Sequence, residues 1–373
     1  MGLLRVLLAL TVVVGHNQWA NQRFGPGVYI AVKAFFIISG FYMALILSER
    51  YQSIGRFYIN RALRLYPIYL IVLALSVVAA TASGGAVGPF IDLNRWSWPA
   101  LDDSLASLLA LANVTMIGID VTVLGCLTQQ GIIPFDGGCG AGYILNNFIL
   151  VPQAWSLSVE LLFYAIAPLI VRLSNRRFVA ILVMGLGLRL AIDLSAWNVN
   201  TWHRSFGPFE MPYFLLGVAA YRLHQAGWLR QQALAFGLLL VTPFYFAIES
   251  AAGVDIAAEN WVWWAYFGLL TLALPSLFSW FKDLRWDREI GELSYPIYIS
   301  HLLVFGLLDT HLAKAFPILG HWGWLALSVS TVVLASWALV RLVGVPVDKL
   351  RQQIASELPA RRRAVVSTQR VSL

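Results

Sequence analysis

Long apolar stretches alternate with short polar connections along almost the whole chain. Ten of them are close to the roughly 20 residues that a helix needs to cross a bilayer. The pattern therefore predicts an all-α fold, a polytopic transmembrane helical bundle of about ten spans. The predicted spans are Arg5–Ala20, Val28–Leu47, Leu65–Ala82, Pro152–Val171, Phe178–Leu194, Phe209–Tyr221, Leu234–Ile248, Trp261–Phe281, Leu293–Leu308 and Trp322–Val343.

Basic residues occur in every second connection between these spans. Lys and Arg remain on the cytoplasmic side of a membrane, so these connections and both termini are expected to be cytoplasmic. The chain then divides into a transmembrane domain, 1–345, and a basic cytoplasmic tail, 346–373, predicted to be disordered. The basic connections are residues 50–64, 172–177, 222–230 and 282–288.

One long connection, Gly84–Val151, is predicted to be extracytoplasmic. Its apolar stretch Leu105–Leu124 contains polar residues, and a full span here would break the charge alternation. This stretch is therefore expected either to re-enter the membrane or to lie at its surface. The only two cysteines of the chain, Cys126 and Cys139, are both in this connection. An oxidising compartment favours a disulfide between them over two free thiols.

Composition agrees with a membrane protein. Of the 373 residues 59% are hydrophobic and only 12% are charged, and the mean hydropathy is +0.71. A soluble domain usually carries about 25% charged residues. The net charge of +7 comes from residues between apolar segments. Membrane topology and lipid headgroups explain that charge, so no nucleic-acid partner is expected.

Polar residues at membrane depth are candidates for function, because they are costly in lipid. Arg5 and His16 are eleven residues apart on one predicted helix. They share a face and lie roughly 16 Å apart along the axis. An arginine at the mouth can hold phosphate, and a histidine can remove a proton near neutral pH. The alternative is that Arg5 only anchors the topology and that His16 lies near the outer membrane interface.

Three further segments carry polar residues in helical register. Arg61 and Arg64 are three residues apart, so they share a face at the cytoplasmic entrance. Glu160 stands in an apolar span and must be paired or protonated. The third segment forms one polar stripe; its members are Ser294, Tyr298 and His301.

A spacing of four residues separates Arg189 from Asp193. This spacing places both side chains on one helix face. They are predicted to form an internal ion pair rather than a site.

Taken in chain order, these motifs resemble the membrane acyltransferase family 3. The resemblance implies an inner-membrane helical bundle of the bacterial type, which transfers an acetyl or other short acyl group from acyl-CoA. The acceptor is a hydroxyl of a surface carbohydrate, such as an exopolysaccharide or O-antigen, or of a similar glycan or lipid. Acyl-CoA is then a substrate, and no tightly bound cofactor and no metal are expected. The matching segments are Arg5 with His16, Phe35–Phe41, Phe57–Pro67, Trp155–Glu160 and Ser294–His301.

By this resemblance, Arg5 and His16 match the family's most characteristic functional pair, and Arg61 with Arg64 its cytoplasmic basic pair. Direct attack by an acceptor hydroxyl that His16 deprotonates is the simplest mechanism, and a transient acyl-histidine stays open. The predicted site comprises catalytic His16, Arg5, Glu160 and His301, donor-binding Arg5, Arg61 and Arg64, and substrate-proximal Lys33, Ser39 and Tyr298.

Lys33 departs from the family pattern, which usually has an acidic residue just before the Phe-Phe pair. A buried ammonium needs a carboxylate partner, and Glu160 is the first candidate. Two other classes of protein stay open. A transporter or flippase of a lipid-linked sugar would also use intramembrane Arg, His and Glu, and Lys33 suits a non-catalytic membrane homologue.

Overall fold

The computed structural model is mainly helical, and it describes residues 1–17, 27–49, 53–193, 205–227, 261–312 and 320–356. The α-helices are α1 (Gly2–His16), α2 (Val28–Glu49), α3 (Ile54–Ala82), α4 (Asp103–Thr115), α5 (Trp155–Val171), α6 (Asn175–Asp193), α7 (Gly207–Gln225), α8 (Trp261–Phe281), α9 (Arg285–Gly291), α10 (Ser294–His311), α11 (Gly320–Leu339) and α12 (Val345–Ser356).

Among the described residues, six helical stretches are long and apolar enough to cross a membrane, and α1 is a shorter apolar helix. The protein is therefore a multi-pass membrane protein. Helices α6 and α7 form where spans were predicted, but buried charged residues such as Arg189 and Glu210 lower their hydropathy. The predicted span Leu234–Ile248 lies outside the described residues. The six stretches are Val28–Glu49, Ile54–Ala82, Pro152–Val171, Trp263–Phe281, Arg285–His311 and Gly320–Gln353.

Helix α2 lies at the centre of the bundle. Its candidate span is 78% buried, against 33% for that of α3. It packs closely on α7, because a Cβ added at Gly217 would meet the backbone of Ile37 and one added at Gly40 would meet the backbone of Phe214. Small residues allow such close approach of helices in membranes.

The start of α1 is fixed against α9. The Asp287 carboxylate accepts hydrogen bonds from the backbone N–H groups of Gly2 and Leu3 at 2.7 and 2.9 Å. A carboxylate at a helix N-terminus satisfies otherwise unpaired N–H groups and interacts well with the helix dipole. This contact sets the height of α1 against α10, which follows α9 directly. We call this end of the bundle, where Arg285 and Arg288 also lie, the basic end.

The opposite end, from which residues 83–154 emerge, is the loop end. This loop contains a hairpin of β1 (Ala86–Val87) and β2 (Ile91–Asp92). It also contains an antiparallel sheet in which the central strand pairs with both neighbours. The disulfide that the sequence favoured joins Cys126 to Cys139, with their Cα atoms 5.4 Å apart. The sheet consists of β3 (Gly125–Thr128), β4 (Gly131–Pro134) and β5 (Tyr143–Ile144).

The apolar stretch of the loop enters the bundle. The hydroxyl of Tyr66 donates to the Thr115 carbonyl at 2.6 Å, and that of Tyr69 donates to the Asn113 carbonyl. Tyr66 lies 16 residues before Ala82, the last residue of α3. That is roughly 24 Å along the axis, so α4 ends beside the middle of α3. Helix α4 therefore packs against α3 inside the bundle, and its placement relative to the membrane stays a prediction.

The predicted disorder of the tail 346–373 is wrong over its first part. Residues Val345–Ser356 form α12, and residues 357–373 lie outside the described residues. A π-helical turn, Val340–Gly344, joins α12 to α11. Helix α12 is held by an ion pair between Asp348 and Arg351. Tertiary contact of Arg351 with α3 adds stability that the polar composition of the tail does not reveal.

Candidate active site

Two histidines from distant parts of the chain meet inside the bundle. His16 is the last residue of α1, and His301 lies in the middle of α10. The Nδ1 atom of His16 is 3.2 Å from Nε2 of His301, and the ring centroids are 5.1 Å apart. His301 is fully buried, whereas His16 is half-buried and so accessible to a substrate.

The neighbouring carbonyl groups fix the tautomers of both rings. Nδ1 of His301 lies 2.6 Å from the Tyr298 carbonyl oxygen, which can only accept, so this nitrogen carries the proton and Nε2 is an acceptor. Nδ1 of His16 lies 3.1 Å from the Val12 carbonyl oxygen and also faces that acceptor. The network therefore assigns the proton of His16 to Nδ1. Its Nε2 keeps a lone pair, as a general base requires.

Glu160 is the acidic centre of the site. Its Oε1 accepts a hydrogen bond from the Ser39 hydroxyl at 2.6 Å and one from the Tyr164 hydroxyl at 2.5 Å. Because Ser39 belongs to α2 and Tyr164 to α5, these two hydrogen bonds fix the Glu160 side chain between the two helices. The structure thus brings together Ser39 and Glu160, both predicted from the sequence.

Arginines lie near this carboxylate on the side of the basic end. Arg5 is within electrostatic range of Arg64, and both arginines are within electrostatic range of Glu160 and Glu292. Both arginines are half-buried. Arg61 is buried, and its charge acts with that of Arg64 on Tyr164, so the predicted basic pair lines one region. The arrangement can hold a polyanion between the histidines and the basic end of the bundle.

The segment before Glu160 locks α5 to α10. The hydroxyl of Tyr298 donates to the Gln153 carbonyl at 3.0 Å and lies 2.7 Å from the Ser156 hydroxyl. The side-chain amide of Gln153 donates to the Ile299 carbonyl at 2.6 Å. Tyr298, predicted to lie near substrate, thus uses its hydroxyl to join the start of α5 to the part of α10 that directly precedes His301.

A family model described as the acyltransferase domain matches residues 1–341 of the chain. The chain belongs to the acyltransferase 3 family. It is also similar to nodulation protein 10 of Rhizobium leguminosarum bv. viciae, with 27% identity over 368 residues, covering 91% of this chain and 85% of the relative. No solved structure matches. The protein is therefore a membrane acyltransferase.

In this acyltransferase, Lys33 lies in a second, fully buried polar cluster. Its Nζ is 5.2 Å from the centroid of the Tyr213 ring, and its charge acts on Glu210. The predicted pairing with Glu160 is wrong, because Lys33 and Ser39 are six residues apart on α2 and point about 120° away from each other. Ser39, not Lys33, faces Glu160.

The rest of this cluster joins α6 to α7. Arg189 contacts Asp193 at 3.3 Å, which confirms the predicted internal ion pair. It also contacts Glu210 at 3.3 Å. The Glu210 side chain is fully buried. Among the described residues, the cluster therefore places Lys33 and Arg189 beside the carboxylates of Asp193 and Glu210.

Several residues of the acyltransferase site are not among those that the sequence predicts. Gln153 and Glu292 each lie two residues before a predicted site segment, so their position next to those motifs is the available signal. Arg351 contacts Asn60 beside Arg61, but the tail was expected to be disordered. Nothing in its local sequence indicates this contact.

Proposed function

We propose that this acyltransferase moves an acetyl or other short acyl group from acyl-CoA to a hydroxyl of a surface carbohydrate, in the cytoplasmic membrane of a bacterial-type cell. The supporting observation is the His16–His301 pair above the cluster of Arg5, Arg64 and Glu160. Arg5 and His16 are eleven residues apart, roughly 16 Å along α1. An extended pantetheine arm has about this length, so phosphates at the arginines place the thioester at His16.

The chemical step follows from the tautomers. Nε2 of His16 takes the proton of the acceptor hydroxyl while its oxygen attacks the thioester carbonyl carbon. The new C–O bond forms, the C–S bond breaks, and the CoA thiolate takes the proton from His16. His301 accepts the Nδ1–H of His16 and so keeps the ring aimed and stabilises the imidazolium.

The same proposal includes an orientation for the bundle. The basic end is cytoplasmic because Lys and Arg concentrate there, and about ten spans place both termini on that side. Acyl-CoA then reaches the arginines from the cytoplasm, where it is made. The acceptor, an exopolysaccharide, O-antigen or similar glycan or glycolipid, reaches His16 from the loop end.

Purified protein in nanodiscs with [acetyl-¹⁴C]acetyl-CoA and the cell's own surface glycan tests the proposal. We expect label on a glycan hydroxyl as an alkali-labile ester, and lower acetyl or succinyl content of surface glycans in cells without the gene. Label that stays on CoA while lipid-linked sugar crosses the bilayer would instead identify a flippase. If the protein neither transfers the label nor moves the sugar, it is a non-catalytic homologue.

A further inference from the structure

Helix α12 brings a further arginine, Arg351, to the basic end of the bundle. It lies beyond residues 1–341, which the family model matches. The Oδ1 atom of Asn60 accepts hydrogen bonds from Nε and Nη2 of Arg351, both at 3.2 Å. The same oxygen accepts a hydrogen bond from Nη2 of Arg61 at 3.0 Å. Two guanidinium groups from different parts of the chain therefore meet at one neutral amide oxygen.

This arrangement is built rather than accidental. Asn60 and Arg61 are 3% and 6% exposed, so both are held inside the protein surface. Two like charges at close range in a partly buried place repel each other, and an anion between them relieves the repulsion. Planar guanidinium groups bind phosphate through paired hydrogen bonds. The ion pair with Asp348 orients the guanidinium group of Arg351 within this arrangement.

The position of the pair decides which phosphate it suits. Arg61 precedes Arg64 by one turn of α3, on the side of the basic end. Arg5 and Arg64 are within electrostatic range of Glu160. His16 lies roughly 16 Å beyond Arg5 along α1. Starting from the acyl group, CoA presents the pantetheine arm, then the pyrophosphate, then the 3′-phosphate of the ribose. The order of basic groups along the bundle matches this order of anions.

We propose that Arg351 and Arg61 bind the 3′-phosphate of CoA, while Arg5 and Arg64 hold the pyrophosphate. Helix α12 thereby makes the enzyme selective for CoA over 3′-dephospho-CoA. This inference rests on the proposed function, because it requires acyl-CoA as the donor.

Steady-state kinetics with acetyl-CoA and with 3′-dephospho-acetyl-CoA tests the inference in the full-length protein. The wild type should have a KM about ten-fold lower for acetyl-CoA, the effect of one charge-assisted contact. The variant Arg351→Gln should raise the KM for acetyl-CoA about ten-fold and leave that for the dephospho donor nearly unchanged. Arg351→Lys should restore part of the difference, because lysine keeps the charge but not the paired geometry.

Lys349→Gln is the matched control. It removes one positive charge from the same helix, but Lys349 is exposed and two residues away, on another face of α12. Its two KM values should equal those of the wild type. An Arg351→Gln variant whose KM rises equally for both donors, or a wild type that does not discriminate between them, would overturn the inference. If the wild type transfers the acetyl group from neither acetyl-CoA nor 3′-dephospho-acetyl-CoA, the proposed function itself is contradicted.

Discussion

At the scale of single residues, each imidazole of the site is oriented by a carbonyl of its own helix. His16 faces Val12 one turn earlier, and His301 faces Tyr298 three residues earlier. The sequence indicates His16 through its spacing from Arg5. It does not predict the contact between His16 and His301, because these residues are 285 positions apart and meet only through the packing of α1 on α10.

The base assignment predicts the effect of removing the His16 imidazole. General-base catalysis contributes typically about 10²–10⁴-fold. His16→Ala and His16→Gln should both lower kcat by about that factor, because an amide keeps hydrogen bonding but cannot take the proton. The KM for acyl-CoA should stay close to that of the wild type. Acetyl delivered to the native acceptor is the measurement. Full activity in His16→Gln would mean that His16 only positions substrate and that His301 is the base.

The Arg64 side chain gives a prediction for the donor. A hydrogen bond to a charged group contributes about 1.5–3 kcal/mol. Arg64→Ala should therefore raise the KM for acyl-CoA by roughly ten-fold or more, and Arg64→Lys should recover only part of the loss. As a control, the variants and the wild type are compared at equal amounts of membrane-inserted protein. Unchanged acyl-CoA dependence in Arg64→Ala would restrict this arginine to a topological role.

At the scale of helices, the second buried cluster links α2, α6 and α7. Periodicity within one helix predicts the Arg189–Asp193 pair, since both residues lie on α6. It does not predict that Glu210 of α7 joins them or that Lys33 of α2 lies beside the same carboxylate. Such contacts depend on which helices are neighbours. The cluster therefore joins these three helices through buried charged side chains.

Removing one charge from this cluster should destabilise the fold. Glu210→Gln leaves Arg189 and Lys33 with one carboxylate fewer in a fully buried place, and breaking a buried pair costs about 3–5 kcal/mol. We expect a lower thermal unfolding midpoint in detergent. Glu289→Gln, which removes an exposed carboxylate of α9, should change stability by less than about 0.5 kcal/mol. A Glu210→Gln variant that keeps its stability but loses transfer would place the cluster in the acceptor site.

At the scale of the whole molecule, the length of an apolar segment predicts helices such as α2 and α3 well. A segment inside the bilayer must form all its backbone hydrogen bonds internally, and a helix does so. The same criterion fails for α4, which is too short to span and enters the bundle through hydrogen bonds from Tyr66 and Tyr69. It also fails for α12, whose polar sequence is held by Asn60 of α3. Both elements depend on contacts between distant segments, and α12 carries the additional arginine of the proposed donor site.

The orientation of the bundle is open to a direct test, since Cys126 and Cys139 are the only cysteines of the chain and form the disulfide of the loop. If the loop end is extracytoplasmic, a membrane-impermeant maleimide should label intact spheroplasts only after treatment with an impermeant reductant. A second protein, with both cysteines replaced by serine and with Lys349→Cys on α12, should be labelled only after lysis. The expected pattern puts the arginines on the side where acyl-CoA is made. Labelling at position 349 in intact spheroplasts would reverse the bundle, and the acyl-CoA entrance proposed at Arg5 and Arg64 would then face a compartment without donor.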